Sequence, residues 1–415
     1  MPAKIVESKK NIYLDHAATT YLDPRVKKAM EPFWIAEFGN PSSLYKKGRQ
    51  GELAVNGARK TIGKLIGAKS EEIIFTAGGT ESINLAIFGV ARNFELLHKK
   101  KGHIITSAVE HHAVLHSVEA LEQEGWQASF IGVDTNGFIK LDELKAAVRP
   151  DTVLISVMLA NNEIGTIEPI AEIAKWLGKL NAERVQKKLH TINLHTDACQ
   201  AAGFLEMNVA KLGVDLMTVN GSKIYGPKQT GFLFVKTGVK LRPLIFGGGQ
   251  EKNLRGGTEN VPGIAGLAEA LKLAQKIRLK ENKRLQTLRN YLTAEILKSI
   301  PDALLNGPGA ETDSESHPTR LPNNASVSFK NVEGEALMLY LDAEGIAVST
   351  GSACSTGSTD PSHVLKAIGR SVDYSYGTLR LTLGRATTKK DLDYTVKILS
   401  QTVKQLRTMA AHEIN

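Results

Sequence analysis

A glycine-rich segment at residues 76–82 has the composition of a phosphate-binding turn. Its sequence is TAGGTES, and it follows a predicted strand and opens a predicted helix. Glycines let the backbone approach a ligand closely, and the free N–H groups at a helix start attract a phosphate. Thr80 adds a hydroxyl donor. Taken alone, the segment is also typical of an ordinary strand-to-helix turn.

A carboxylate and an amine follow two later predicted strands. Asp197 lies in HTDACQ at 195–200, and Lys223 lies in NGSKIYGPK at 220–228. A carboxylate can hold a protonated heterocyclic nitrogen, and a fixed lysine can form a Schiff base with an aldehyde cofactor. Each residue also has an ordinary explanation, a helix cap for Asp197 and a solvent-facing turn for Lys223. Their order after the phosphate turn favours a pyridoxal-phosphate (PLP) site.

Cys354 lies among small, polar residues in STGSACSTGST at 349–359. This composition predicts an exposed, mobile loop, whose thiol can visit a cofactor and then a partner. The alternative is a small buried hydrophobe. The chain's other cysteine, Cys199, is interpreted as a packing residue. Two cysteines outside any Cys-x-x-Cys pair indicate neither a disulfide framework nor a metal site.

Strands and helices alternate along most of the chain, which predicts an α/β fold with a mainly parallel sheet covered on both faces. After about residue 262 a long amphipathic helix leads into a smaller α/β unit. Open α/β sheets bind ligands at the carboxyl ends of their strands, so the chemical segments should meet at one edge. The predicted strands are 72–76, 104–106, 153–159, 191–195, 216–219, 231–235, 325–329 and 378–383, and the predicted helices are 82–91, 112–124, 170–189, 264–299, 334–341 and 389–410.

Composition argues against several other classes of protein. The net charge is +9, from 52 basic and 43 acidic residues, but the basic residues are scattered. A solvated basic surface is therefore expected, and direct nucleic-acid binding is not. The first 11 residues lack an apolar core, and no run of about 18 apolar residues occurs, which predicts no secretory signal and no membrane span. The expected location is the cytoplasm.

Together these segments resemble the cysteine desulfurases, the IscS- and NifS-like enzymes of the class V aminotransferase family, within the fold type I PLP enzymes. The resemblance runs over nearly the whole chain. Further blocks that carry it are YLDHAATT at 13–20, FGNPSS at 38–43, EHHAV at 110–114, NNEIG at 161–165, RGGT at 255–258 and RLTLGR at 380–385.

The resemblance implies a two-domain architecture and a homodimer. The large PLP-binding domain is expected at 23–263, with a mainly parallel seven-stranded sheet. The smaller C-terminal α/β domain takes residues 1–22 and 264–415, with a linking helix at about 264–299 and the mobile cysteine loop at about 349–360. Sites in this family are completed across the subunit interface, here by Thr258.

The resemblance also implies catalytic roles. Lys223 holds the cofactor covalently and moves the proton of the substrate α-carbon. His111 stacks on the ring and shuttles protons, and Cys354 takes the sulfur of L-cysteine as a persulfide while alanine is released. Asn40 and Arg380 bind the substrate carboxylate. The implied contacts to pyridoxal 5′-phosphate are Gly79, Thr80 and the partner's Thr258 on the phosphate, Asp197 on the ring nitrogen, Asn162 and Gln200 on the ring oxygen side, and His111, Asn220, Ser222 and Lys223.

The implied outlet and one departure leave alternatives open. The cysteine segment resembles the longer-loop group, which implies transfer to a sulfur-acceptor or iron–sulfur scaffold protein, for cluster assembly or tRNA thiolation. The family commonly has Ser-Gly-His-Lys where this chain has Asn220-Gly221-Ser222-Lys223. That change is either a tolerated swap or a cause of weaker PLP retention. The alternatives are a selenocysteine lyase, another class V PLP lyase, or a catalytically drifted scaffold or regulatory subunit.

Overall fold

The structure is a computed structural model that describes residues 11–309, 318–351 and 361–413. The strands are β1 (Ile12–Tyr13), β2 (Ile73–Thr76), β3 (His103–Ser107), β4 (Gln127–Ile131), β5 (Thr152–Ser156), β6 (Asn193–Asp197), β7 (Leu216–Asn220), β8 (Gly231–Val235), β9 (Ala303–Leu305), β10 (Asn324–Phe329), β11 (Ile346–Ala347) and β12 (Thr378–Thr382). The helices are α1 (Pro24–Met30), α2 (Pro32–Ile35), α3 (Lys46–Ile66), α4 (Gly79–His98), α5 (His112–Gln123), α6 (Leu141–Ala146), α7 (Ile170–Gln186), α8 (Val209–Leu212), α9 (Gln250–Asn253), α10 (Val261–Ser299), α11 (Gly334–Ala343), α12 (His363–Ala367), α13 (Val372–Ser375) and α14 (Lys389–Glu413).

The main sheet has seven strands in the order β2-β8-β7-β6-β5-β3-β4. Strand β8 runs antiparallel to both of its neighbours, and the other paired strands are parallel. Successive strand residues enter different cores, as with Leu154 and Ile155, because helices cover both faces of the sheet. The predicted α/β class with a mainly parallel seven-stranded sheet is confirmed.

A second apolar core lies around the smaller sheets. Strands β12, β10 and β9 pair antiparallel, and β1 pairs parallel with β11. Their buried side chains pack with α11, α14 and the later turns of α10, including Leu285 and Ile296. The first turns of α10 instead join the core of the main sheet, through Ile264 and Leu267. This helix therefore contacts both cores, while the domain bounds 23–263 and 264–415 stay a prediction.

Helix α3 is the largest element that the sequence analysis missed. It contains glycines at 48, 51, 57 and 63, which lower helix propensity by up to about 1 kcal/mol each. Two of them lie against the backbone of the residue 39–43 loop: a Cβ at Gly48 would come 2.2 Å from the Ser43 carbonyl oxygen, and one at Gly51 would come 2.7 Å from that of Gly39. Tertiary packing of α3 against α10 and the residue 39–43 loop thus overrides its weak local preference.

Two predicted strands shift at the edge that matters for function. The strand expected at 191–195 lies at Asn193–Asp197, so Asp197 belongs to the strand itself. The strand expected at 153–159 ends at Ser156, although Leu159 still donates its backbone N–H to the Asp197 carbonyl oxygen at 2.8 Å. In the described ranges, no helix combines the length and the apolar character that crossing a membrane requires.

Candidate active site

A cavity of about 330 Å³ opens where β6 and β7 end and where α4 and α5 begin. It brings together segments that are far apart in the sequence, as expected at the carboxyl edge of an open α/β sheet. The predicted site residues that line it are Gly79, Thr80, His111, Asn162, Asp197, Gln200, Asn220, Lys223 and Arg380.

Lys223 is positioned by a short 3₁₀ turn, Gly221–Lys223, that follows β7 directly. Its Nζ donates to the carbonyl oxygens of Ala17 and Ala18, at 2.7 and 2.6 Å. Gln200 also donates its Nε2 to the Ala17 oxygen, at 2.9 Å. The amine therefore points into the cavity wall rather than toward solvent, in contrast to an ordinary turn lysine.

The family departure at 220–222 has a structural explanation. The Asn220 side chain accepts hydrogen bonds from the backbone N–H and from the hydroxyl of Ser222, both at 3.1 Å. The Ser222 carbonyl oxygen in turn accepts from Thr20. Asn220 lines the cavity but Ser222 does not. In this chain the pair stabilises the turn that carries Lys223, so a contact between Ser222 and a phosphate stays a prediction.

Asp197 is the last residue of β6 and is 7% exposed. Its Oδ1 accepts from the backbone N–H of Cys199 at 2.9 Å. Residues 199–204 form turns and no helix begins there, so the alternative role of Asp197 as a helix cap is wrong. A buried carboxylate that faces a cavity suits a cationic ring nitrogen, because the pair is poorly screened there.

His111 caps the N-terminus of α5, with its Nδ1 accepting from the backbone N–H of Ala113 at 3.1 Å. An accepting Nδ1 places the proton of the neutral ring on Nε2. Burial lowers the pKa of His111, an effect opposed by Asp197 and reinforced by Lys223. The ring is therefore mostly neutral near pH 7, which suits a group that both stacks and transfers a proton.

Arg380 lies on β12 and is almost fully buried. Its Nη2 forms an ion pair with Asp15 at 2.8 Å, and its Nη1 donates to the Asn162 carbonyl oxygen at 3.2 Å. Its Nε has no hydrogen-bond partner in the described part of the chain. A buried guanidinium at a cavity wall is suited to a small carboxylate, and binding of the substrate carboxylate stays a prediction.

Two buried glutamates at the cavity were not singled out from the sequence. Glu110 Oε1 accepts from the backbone N–H of Met158 at 2.7 Å, and Oε2 has no partner within the described ranges. Burial, with Asp197 adding to it, raises the pKa of Glu110 well above its usual value. Burial also raises the pKa of Glu163 to about 7. Each lies inside a matched block, EHHAV or NNEIG, but a glutamate in a short motif does not reveal its burial.

Three predicted site residues do not line the cavity in this chain. Asn40 and Thr258 are exposed and, like Ser222, do not line it. The Asn40 Oδ1 accepts from the backbone N–H of Ser42 at 2.9 Å. Cys354 and the rest of the predicted loop from 352 to 360 lie outside the described residues.

The donors that line the cavity fit pyridoxal phosphate. Helix α4 has 20 residues and begins at Gly79, after a Gly78 whose φ of 142° is rarely adopted by L side chains. A Cβ at Gly79 would come 2.9 Å from the Cys199 Sγ, so a glycine at the start of the helix lets the backbone pass close to Cys199. The backbone N–H groups at the start of α4 suit the phosphate of PLP. The Asp197 carboxylate suits its ring nitrogen, and the Lys223 amine suits its aldehyde carbon.

Known proteins resemble this chain over almost its full length. The family described as aminotransferase class-V matches residues 12–395. A cysteine desulfurase IscS of Dictyoglomus turgidum is 50% identical over 405 residues, which is 98% of each chain. One of Methanosarcina thermophila is 46% identical over 97% of this chain and 94% of its own. A solved NifS-like protein is similar with a TM-score of 0.86 and 36% identity, covering 96% of this chain and 100% of that one.

Proposed function

This chain belongs to the class V aminotransferase family, and we propose that it is a PLP-dependent cysteine desulfurase that carries the sulfur of L-cysteine on Cys354. The observation that carries the proposal is the meeting of Lys223, Asp197 and the N-terminus of α4 in one cavity. Relatives with this activity in their names, at up to 50% identity over nearly the full length, support it. Bound PLP supplies an electron sink for the substrate α-carbon.

The side chains around the cavity have distinct tasks. Lys223 is the covalent anchor, and its Nζ then accepts and returns the α-carbon proton. Asp197 would hold the ring nitrogen of bound PLP, and the neutral His111 would pack against the ring. Arg380 orients the substrate through its carboxylate, and Asn40 is proposed to assist if binding brings it to the cavity.

The overall reaction balances without an oxidant. The Cys354 thiolate attacks the substrate sulfur, and the carbon–sulfur bond breaks with its electron pair left on carbon. That carbon takes up one proton to become the methyl group of L-alanine, and the sulfur remains on Cys354 as a persulfide. The outer sulfur of the persulfide then passes to a thiol of an acceptor protein. The proposed class of acceptor is an iron–sulfur scaffold protein. Because Cys354 must start reduced, the cytoplasm is the proposed setting.

The products of L-cysteine distinguish this reaction from its neighbours. Purified protein with PLP and L-cysteine is expected to turn yellow and to release L-alanine, with sulfide in equal amount when a reductant is present. Pyruvate in place of alanine would indicate a β-eliminating lyase, and a strong preference for selenocysteine would indicate a selenocysteine lyase. A protein that binds no PLP would favour the drifted scaffold. Mass spectrometry of the Cys354 peptide would follow transfer of sulfur to an added scaffold protein.

A homodimer is the proposed assembly, supported by large apolar side chains on the surface near Asn40. Five of them are exposed: Trp34, Ile35, Phe38, Leu44 and Tyr45. Large apolar side chains exposed within one short segment of the chain favour an association site. In a dimer the exposed Thr258 of one subunit is proposed to reach the phosphate in the other.

Leu44→Asp tests the assembly. Leu44 is 86% exposed, so the change should leave the fold of the monomer intact. We expect light scattering to give about half the wild-type mass, because burial of a charge opposes association. PLP affinity should fall about tenfold if the partner completes the phosphate site. The control is Leu279→Asp, a similarly exposed leucine on α10, which should stay dimeric. A monomeric wild-type protein would contradict the proposal.

A further inference from the structure

Glu163 has a fixed backbone on the wall of the active-site cavity. The Asn161 Oδ1 accepts from the backbone N–H groups of Glu163 and Ile164, at 2.9 and 3.0 Å. The Glu163 carbonyl oxygen accepts from the Asn324 side chain at 3.2 Å. These bonds hold the turn from which the Glu163 side chain extends.

The carboxyl group of Glu163 lies between two residues of the smaller unit. Its Oε2 accepts from the Ser362 hydroxyl at 2.5 Å, and Ser362 in turn caps α12 by accepting from the Val364 N–H at 3.1 Å. A Cβ at Gly351 would come 2.7 Å from the same Oε2 and 3.9 Å from the Ser362 Cβ. The carboxyl therefore packs against the backbone of Gly351 while it binds Ser362.

Gly351 and Ser362 lie on the two sides of the segment that contains Cys354, Gly351 before it and Ser362 after it in the sequence. Cys354 follows Gly351 by three residues, a distance that extended chain spans in at most about 11 Å. Gly351 itself lines the cavity. Ser349 is also fixed, since the Arg380 N–H donates to its carbonyl oxygen at 2.7 Å. Gly351 therefore connects the cavity wall to the sequence segment that contains Cys354.

We propose, on the basis of the proposed function, that Glu163 is a positioning residue for sulfur transfer. Its carboxyl joins Gly351 and Ser362 at the cavity wall, so that Cys354 starts each turnover within reach of the substrate sulfur. Glu163 acts through these residues.

The state of the carboxyl makes glutamine a good substitute. Burial raises the pKa of Glu163 to about 7, against the lowering effects of Ser362 and Arg380, so the group is partly protonated near neutral pH. A glutamine Oε1 can accept the Ser362 hydrogen bond in the same place. Alanine removes both that bond and the contact with Gly351.

Persulfide formation on Cys354 in a single turnover is the primary test. For Glu163→Ala we expect a rate about tenfold to a hundredfold below wild type, the loss that follows when a buried hydrogen bond is removed. L-cysteine affinity, followed through the cofactor colour, should change less than about twofold. Glu163→Gln should stay within about threefold of wild type. The Glu163→Ala/Ser362→Ala double variant should be no slower than Glu163→Ala, because the two side chains share one contact.

Hydrogen exchange on cofactor-free protein provides a readout independent of activity. The amides of Val364 and Ser349 should exchange faster in Glu163→Ala than in wild type or Glu163→Gln. Glu168→Gln is the matched control: Glu168 is equally buried at 3%, but its Oε2 accepts from the backbone N–H of Ile139 instead of from Ser362. That variant should keep wild-type persulfide formation and exchange at these two amides.

Several outcomes would overturn the assignment of Glu163. These are a wild-type persulfide rate in Glu163→Ala, an equal defect in Glu163→Gln and Glu163→Ala, and additive effects in the double variant. If wild-type protein forms no persulfide at all, the proposed function fails instead. Unchanged exchange in Glu163→Ala would then still reject the link between Glu163 and the two sides of the segment.

Discussion

Lys223→Ala is expected to lower alanine release from L-cysteine by at least about ten-thousandfold. The ε-nitrogen has two tasks in the proposed reaction, covalent attachment of PLP and transfer of the α-carbon proton. No neighbouring amine among the described residues lining the cavity can replace it. The variant should still bind PLP, through Asp197 and the start of α4, but dialysis should remove the cofactor. The measurement is alanine formation, with the visible spectrum before and after dialysis.

The control for Lys223 is Lys228→Ala. Lys228 lies in the same sequence segment, but it is exposed and lines a different surface pocket. It should therefore keep wild-type turnover and a dialysis-resistant yellow colour. Borohydride reduction of the PLP-loaded wild-type protein should fix the cofactor on the peptide that contains Lys223. Cofactor fixed on another lysine, or turnover retained in Lys223→Ala, would exclude the proposed mechanism.

The residues that the sequence analysis placed best are those carried by strand ends. Asp197 and Lys223 each lie within a few residues of a short apolar run, and a parallel sheet must bring such ends to one edge. Gly79 and Thr80 follow from the same rule, since a strand-to-helix turn can be read from glycines next to a periodic helix pattern. Local sequence is sufficient where the positioning element is itself local.

Contacts between residues that lie far apart in the sequence could not be predicted from it. Nothing at Glu110 or Glu163 shows that the side chain will be buried, because burial depends on residues that lie far away, such as Ser362. Helix α3 was missed for a related reason, since two of its glycines, Gly48 and Gly51, are explained by close contacts with Ser43 and Gly39. The family resemblance predicted site roles for Asn40 and Thr258, but in the single chain both residues lie on the surface. Their roles depend on an assembly that one sequence does not describe.

Cys354→Ser should separate the two halves of the proposed reaction. We expect the variant to bind PLP and L-cysteine with nearly normal colour changes, because Lys223, Asp197 and Arg380 are unchanged. Persulfide formation and reductant-dependent sulfide release should fall by at least about a thousandfold, since a serine oxygen cannot take its place as the nucleophile toward sulfur. Ser352→Ala is the matched control in the same segment and should keep activity within a few-fold of wild type.

The chain has one other cysteine, Cys199. The Cys354→Ser variant is a strict test only if Cys199 does not replace Cys354 as the reactive thiol. Cys199 is buried, and burial, with Asp197 adding to it, raises the pKa of its thiol well above the usual value. It should therefore be protonated and unreactive at neutral pH. Thiol labelling of the folded protein should find one reactive cysteine in wild type and none in Cys354→Ser. Wild-type sulfide release from that variant would mean that sulfur leaves without a protein persulfide, as in a β-eliminating lyase. The assignment of Cys354 would then be wrong, while the proposed cofactor site would be unaffected.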